Sequence, residues 1–119
     1  MKAKMYLTKE MFTSQKRVLI ESGEFRASAF TYSSGVCALE VSGERCAYIL
    51  LPFNGQQVWR FQVDGEEMTM RSMFEEPEDT QDFESTYGAF LIHCGLTAMG
   101  NPSEEDPHPL HGELPLAHY

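Results

Sequence analysis

The sequence predicts an all-β protein, an antiparallel β-sandwich in class, on three observations. Turn signals recur at short spacing, at Ser22-Gly23-Glu24, Ser33-Ser34-Gly35, Ser42-Gly43-Glu44, Asn54-Gly55 and Asp64-Gly65. Between them lie strand-length runs rich in β-branched and aromatic residues, with apolar side chains alternating at period two. No convincing helical period separates these runs. Asn-Gly and Asp-Gly accept positive φ at both central turn positions, which matches the right-handed twist of flanking strands and favours hairpins. Strands at this spacing pack as a sandwich or a barrel.

Taken in order, residues 8–12 have room for one helical turn, and strands are expected over 17–21, 25–32, 37–41, 46–51, 57–63 and 68–73. The run Ala47-Tyr48-Ile49-Leu50-Leu51 is apolar at every position, the pattern of a strand covered on both faces. In the fifth run, Trp59, Phe61 and Val63 alternate with Val58, Arg60 and Gln62. A tight turn at Asp64-Gly65 would bring Met68 and Met70 back onto the buried face of Trp59 and Phe61. A two-residue loop at Gly43-Glu44 would pair Val41 with Cys46 and leave Cys37 opposite Leu50. The sulfurs of Cys37 and Cys46 would then be too far apart for a disulfide. With Cys94 they make an odd count, expected as buried free thiols in a reducing cytoplasm.

The chain divides by composition. Residues 1–74 carry 9 basic and 8 acidic side chains, a net charge of +1; residues 75–119 carry 10 acidic and none basic, a net charge of −10. All four histidines, His93, His108, His111 and His118, and five of the six prolines fall in the second part. We read 1–74 as a hairpin scaffold and 75–119 as a site segment of the same domain. The apolar run from Tyr87 to Leu96 argues that this acidic part is ordered. At 119 residues the chain can bury about 65% of the surface its unfolded form exposes, enough for one modest core. Strong negative charge weighs against nucleic acid and anionic membranes as partners. No window approaches the ~18 apolar residues of a membrane span, and Lys9 and Glu10 interrupt any secretory signal, so a cytoplasmic protein is expected.

The segment His108-Pro109-Leu110-His111-Gly112-Glu113 has the strongest chemical character. Pro107 and Pro109 lock φ and push their predecessors to extended geometry, so this stretch cannot be helical. That bears on a metal site, because His108 and His111 would share a face only on a helix, or through a turn at Leu110. Completed by His93 or Glu113, such a site would belong to a metal-dependent β-barrel enzyme; the reading favoured here has no metal and no cofactor. Loops held by a rigid sheet are where ligand-handling residues concentrate. Cys94 directly follows His93, and neighbours on an extended chain face opposite ways, so they form no nucleophile–base pair. No phosphate-binding glycine loop is present.

Four stretches carry a resemblance. They are Leu51-Pro52-Phe53-Asn54-Gly55-Gln56-Gln57-Val58-Trp59, then Met68-Thr69-Met70-Arg71-Ser72-Met73-Phe74-Glu75-Glu76-Pro77, then Tyr87-Gly88-Ala89-Phe90-Leu91-Ile92-His93-Cys94-Gly95, then His108 to Glu113. In this order they resemble the N-terminal part of an aldose 1-epimerase-like protein of the galactose mutarotase superfamily. The resemblance implies a large β-sandwich, of which this chain would be an incomplete N-terminal part, and a neutral monosaccharide or related carbohydrate in a loop-lined groove. His111 matches the histidine of the Leu-His-Gly motif and is the implied catalytic residue. Arg71, His93, His108, His111 and Glu113 are the candidate sugar contacts. The base and second histidine of the family would lie beyond Tyr119. A non-catalytic sugar-binding or interaction module is the alternative, and self-association of a part-sandwich is expected.

Overall fold

The computed structural model describes residue 2 and residues 4–119. Six antiparallel strands follow one another in a single sheet in chain order: β1 (Arg17–Ser22), β2 (Phe25–Thr31), β3 (Cys37–Ser42), β4 (Cys46–Leu50), β5 (Val58–Val63) and β6 (Glu66–Glu67). The protein is therefore all-β and antiparallel, as its turn chemistry requires. Among the described residues there is one sheet and no second sheet packed against it. One 3₁₀ turn, Lys9–Met11, opens the chain with Thr8 and Phe12 as its caps, where a single helical turn was expected. No helix among the described residues is long and apolar enough to cross a membrane.

Asp64 and Gly65 take positive φ, 49° and 81°, and join Val63 directly to Glu66, so the strongest turn signal makes the tightest hairpin. The β3–β4 turn sits one residue later than the sequence suggests. Val41 pairs with Tyr48 and Ser42 with Ala47, which puts Glu44-Arg45 at the tip. Sliding the partner by two positions keeps every side chain on its face, so the alternation could not detect the shift. Arg45 supplies the local reason: its guanidinium forks onto both carboxylate oxygens of Asp64, at 3.0 and 2.8 Å, tying two neighbouring hairpin tips together. Cys37 and Cys46 stay far apart in this register and all three cysteines are free. Cys46 and Cys94 are exposed and Cys37 is half-buried, so they are not the buried thiols expected.

The core is built from Val36, Ala38, Leu51 and Trp59, with Phe30, Tyr32, Ile49, Phe74 and Ala89 packed around it. Phe74 and Ala89 come from the segments after β6, so the second half of the chain lies against one face of the sheet. β4 is interior to the sheet as expected, although its residues 47–50 are only half-buried; the deepest strand is β2, where Ala27, Ser28 and Ala29 are all buried.

β5 departs from strict alternation. Ile49 opposes Arg60 while Leu50 opposes Val58, which leaves Trp59 as an extra residue in the ladder. A bulge of this kind breaks the two-residue period locally. Trp59 is fully buried in the cluster that contains Ile49, and Arg60 lays its guanidinium over the indole, 4.4 Å from the ring centroid. Phe61 opposes Tyr48 and rests its ring on Phe90 at 4.9 Å instead. Trp59 and Phe61 therefore do not share a face.

The expected strand 68–73 is also corrected. The return after Asp64-Gly65 pairs regularly only over Glu66–Glu67, and then Met68 N donates to Phe61 O at 2.8 Å and Phe61 N to the Thr69 hydroxyl at 3.0 Å. Beyond Thr69 the chain leaves the edge, and residues 90–91 occupy the vacated position. Val58 and Leu91 exchange two backbone hydrogen bonds of 3.1 Å, and Phe90 N donates to Trp59 O. Met68 and Met70 consequently stand 53% and 74% exposed instead of covering Trp59.

Two devices hold the irregular half in place. Arg60 donates to the carbonyls of Trp59 (2.8 Å), Gly88 (3.2 Å) and Phe74 (3.2 Å), clamping both covering segments to β5. At the other end, residues 115–119 cross the wide β4–β5 connection. Gly55 N donates to Ala117 O (2.7 Å), Tyr119 N to Phe53 O (3.1 Å), and the buried Gln57 amide to Pro115 O (2.8 Å). A side chain at Gly55 would run into the Pro115 carbonyl, so the Asn54-Gly55 signal marks a strap crossing and not a two-residue hairpin. Glu76, from the acidic half, accepts from the Ser33 hydroxyl and the Ser34 amide of the β2–β3 turn.

Candidate functional site

Residues 109–112 form a turn in which Gly112 N donates to Pro109 O at 2.9 Å. His111 sits inside it with φ +62°, a left-handed conformation uncommon for any residue with a side chain. Its backbone is gripped on both sides: His111 N donates to Gly100 O (2.9 Å), and Gly95 N donates to His111 O (2.8 Å). Gly112 follows at φ +86°, packed so closely on the carbonyls of Gly95 and Ala98 that any Cβ would collide with them. Gly112 is therefore a backbone requirement of the motif, whereas His111 holds its place against backbone preference. Strain of this kind persists only where surrounding contacts over-determine it, and it is concentrated at functional sites.

The His111 ring meets the Phe83 ring edge-on at 4.7 Å, and Phe83 in turn lies 5.7 Å from Tyr87. Phe83 is placed by a short 3₁₀ turn, Phe83–Thr86, whose N-terminus is capped by the Asp82 carboxylate accepting from Glu84 N and the Ser85 hydroxyl. Between this turn, residues 71–74 and the His111 turn lies an open cavity of about 570 Å³. Arg71, Ser72, Glu84, Tyr87 and His111 are its polar lining, against Phe74, Phe83 and Leu110 among the apolar side chains. Two of the sequence-predicted residues, Arg71 and His111, are thus brought to one cavity from positions forty residues apart in the chain. A second cavity of about 310 Å³ lies beyond Phe83, Glu84 and Leu110, and Asn101 and Glu113 contribute to it.

The other candidates do not join them. His93 is exposed and lines neither cavity; His108 lines neither, and its Nδ1 lies 2.8 Å from Pro109 O. Glu113 reaches only the smaller cavity. Its carboxylate accepts from the Thr97 hydroxyl at 2.6 Å and the Thr97 amide at 3.1 Å, and these bonds hold its pKa below the usual carboxylate value. Glu113 therefore staples the 95–98 loop to the His111 turn. His118 plays a comparable structural part, since its Nε2 lies 2.7 Å from Asp79 Oδ1, which also accepts from Asn54 at 3.1 Å. Among the described residues no group of three or more His, Cys, Asp or Glu side chains is arranged to hold a metal. The turn at Leu110-His111 that could have made His108 and His111 converge does form, yet it sends the two rings to different surroundings.

Sequence reasoning passes over Phe83, Glu84, Tyr87 and Asn101. Phe83 carries a faint signal as a lone aromatic inside an acidic run, and Tyr87 opens one of the four motif stretches. Arg60, the clamp behind the site, has the pattern of the polar face of an ordinary strand. No protein-family model matches the chain, and neither a curated protein nor a solved structure matches it.

Proposed function

We propose that this is a carbohydrate-binding, aldose 1-epimerase-like protein whose Arg71–His111 cavity takes a neutral sugar. The observation that carries the reading is the meeting of those two side chains in one cavity, with His111 held in a strained, doubly anchored turn. Mixed polar and aromatic lining suits a sugar, which offers hydroxyls around its rim and C–H bonds on its faces. In the reaction of the resembled family, the C1 hydroxyl loses its proton and the ring oxygen gains one. The ring then opens, the C1–C2 bond rotates, and closure from the other face yields the other anomer. An imidazole can give and take protons near neutral pH, so His111 is the group in this chain suited to the ring oxygen or the C1 hydroxyl. The family's carboxylate base has no match in the four motif stretches, so what the resemblance supports for this chain is sugar contact.

Charge narrows the ligand. No Lys or Arg follows Arg71, and a phosphate dianion would meet the carboxylates of residues 75–119 with a single guanidinium in the cavity. Calorimetric titration with glucose and galactose, and with their 6-phosphates, tests this. The neutral sugars should bind and lose about tenfold in affinity or more in both His111→Ala and Arg71→Met. Tighter binding of the phosphates, or unchanged affinity in both variants, would sink the reading.

A further inference from the structure

The two cavities are neighbours that share one wall. Phe83, Glu84 and Leu110 line both, with Arg71, Tyr87 and His111 on one side and Asn101 on the other. Among the described residues the side chains of Arg71, Glu84, Tyr87, Asn101 and His111 make no hydrogen bond to protein. The remaining carboxylates and amide of the smaller cavity are already engaged: Asp82 caps the 3₁₀ turn, Glu113 holds Thr97, and Gln81 donates to Leu116 O. The free hydrogen-bonding groups are therefore distributed over both cavities, with Glu84 at the junction.

We infer that the ligand is at least a disaccharide, with one unit in the Arg71–His111 cavity, the second against Asn101, and the glycosidic linkage passing the Phe83–Leu110 wall beside Glu84. This rests on the sugar reading above and adds a second subsite to it. Size points the same way. A cavity of about 570 Å³ lies within the roughly 300–1,000 Å³ of sites for drug-sized ligands, and a second one of about 310 Å³ adjoins it through shared lining residues. A linked ligand gains because once the first unit is held, the second binds as an intramolecular event without a further loss of overall freedom. The aromatic ring of Phe83 offers an apolar surface to C–H bonds on either side of the wall, and the Asn101 amide and Glu84 carboxylate suit hydroxyl donors.

Calorimetry or ligand-observed NMR with galactose, glucose, lactose, cellobiose and maltose tests the inference on the full chain. At least one disaccharide should bind about tenfold tighter than its component monosaccharides. In Asn101→Ala combined with Glu84→Gln, the ratio of disaccharide to monosaccharide affinity should fall to about one. Both positions are exposed, and neither side chain makes a hydrogen bond that folding would lose. Monosaccharides binding as well as every disaccharide would overturn the second subsite and leave the sugar reading standing. A disaccharide advantage that survives the double variant would also overturn it. If none of the five sugars binds, the sugar reading falls, and the second subsite with it.

Discussion

At the residue scale, two side chains illustrate how environment decides chemistry. Tyr32 packs against the core, and burial pushes its phenol up to about 12 from an ordinary value of 10, with Arg60 pulling the other way. The folded protein holds this proton to higher pH than the unfolded chain does. The stability it carries is therefore complete below about pH 10 and is lost as pH rises toward 12. Alkaline unfolding should shift to higher pH in Tyr32→Phe; an unchanged midpoint would place the phenol in water. Gly112 makes the second case. Its φ of +86° and its contact with two carbonyls leave no room for a methyl group. Gly112→Ala should cost about 1–3 kcal/mol in urea denaturation and should weaken the proposed sugar binding as well, because the His111 turn is displaced.

At the element scale, β5 organises both halves of the molecule through one bulge. The extra residue lets Trp59 and Arg60 act on the same side, one as core and the other as clamp. Their substitutions should therefore fail differently. Trp59→Ala removes the largest fully buried side chain and should cost ~3–5 kcal/mol in global stability. Arg60→Met keeps an unbranched apolar stem over the indole but abandons the carbonyls of Phe74 and Gly88. Hydrogen exchange should then quicken at Phe90 and Leu91, which cover the β5 edge, while β2 and β3 stay protected. Equal quickening across all strands would mean that Arg60 acts on the whole sheet and not as a clamp.

At the scale of the whole molecule, the sheet and its covering segments form an elongated body of 53 × 31 × 29 Å. Exposed apolar side chains are numerous on the covering half: Met70 and Met73, then Phe90 and Leu91, then Leu96 and Met99. Large exposed apolar surfaces promote association, while the carboxylates of residues 75–119 oppose it at low salt. We expect sedimentation velocity to show monomers at low ionic strength and larger species as salt rises. For catalysis, we expect no acceleration of glucose or galactose mutarotation by polarimetry. General acid–base assistance typically contributes about 10²–10⁴-fold per group, and the carboxylate that lines the His111 cavity, Glu84, is exposed and makes no hydrogen bond to His111 among the described residues. A clear rate enhancement that vanishes in His111→Ala would identify this chain as an enzyme in its own right.

The all-β class, the hairpin order and the tightest turn were legible in the sequence because turn chemistry and period-two alternation are local. Asp64-Gly65 needs positive φ whatever lies around it, and a half-buried strand must alternate. What the tertiary structure decided lies where those local rules give out. A single inserted residue at Trp59 reverses the phase of everything after it, and nothing in the residue types reveals a bulge. Residues 68–73 alternate like a strand, yet residues 90–91 take their place at the sheet edge. The acidic half carries almost no period at all, so the position of each histidine depends on long-range contacts. The His111 backbone is set by Gly95 and Gly100, His118 is drawn to Asp79, and Glu113 is claimed by Thr97. The resemblance nominated Arg71 and His111 together, but only the folding of two distant segments around Phe83 brings both to one cavity, because a segment without a repeat takes its shape from what it packs against.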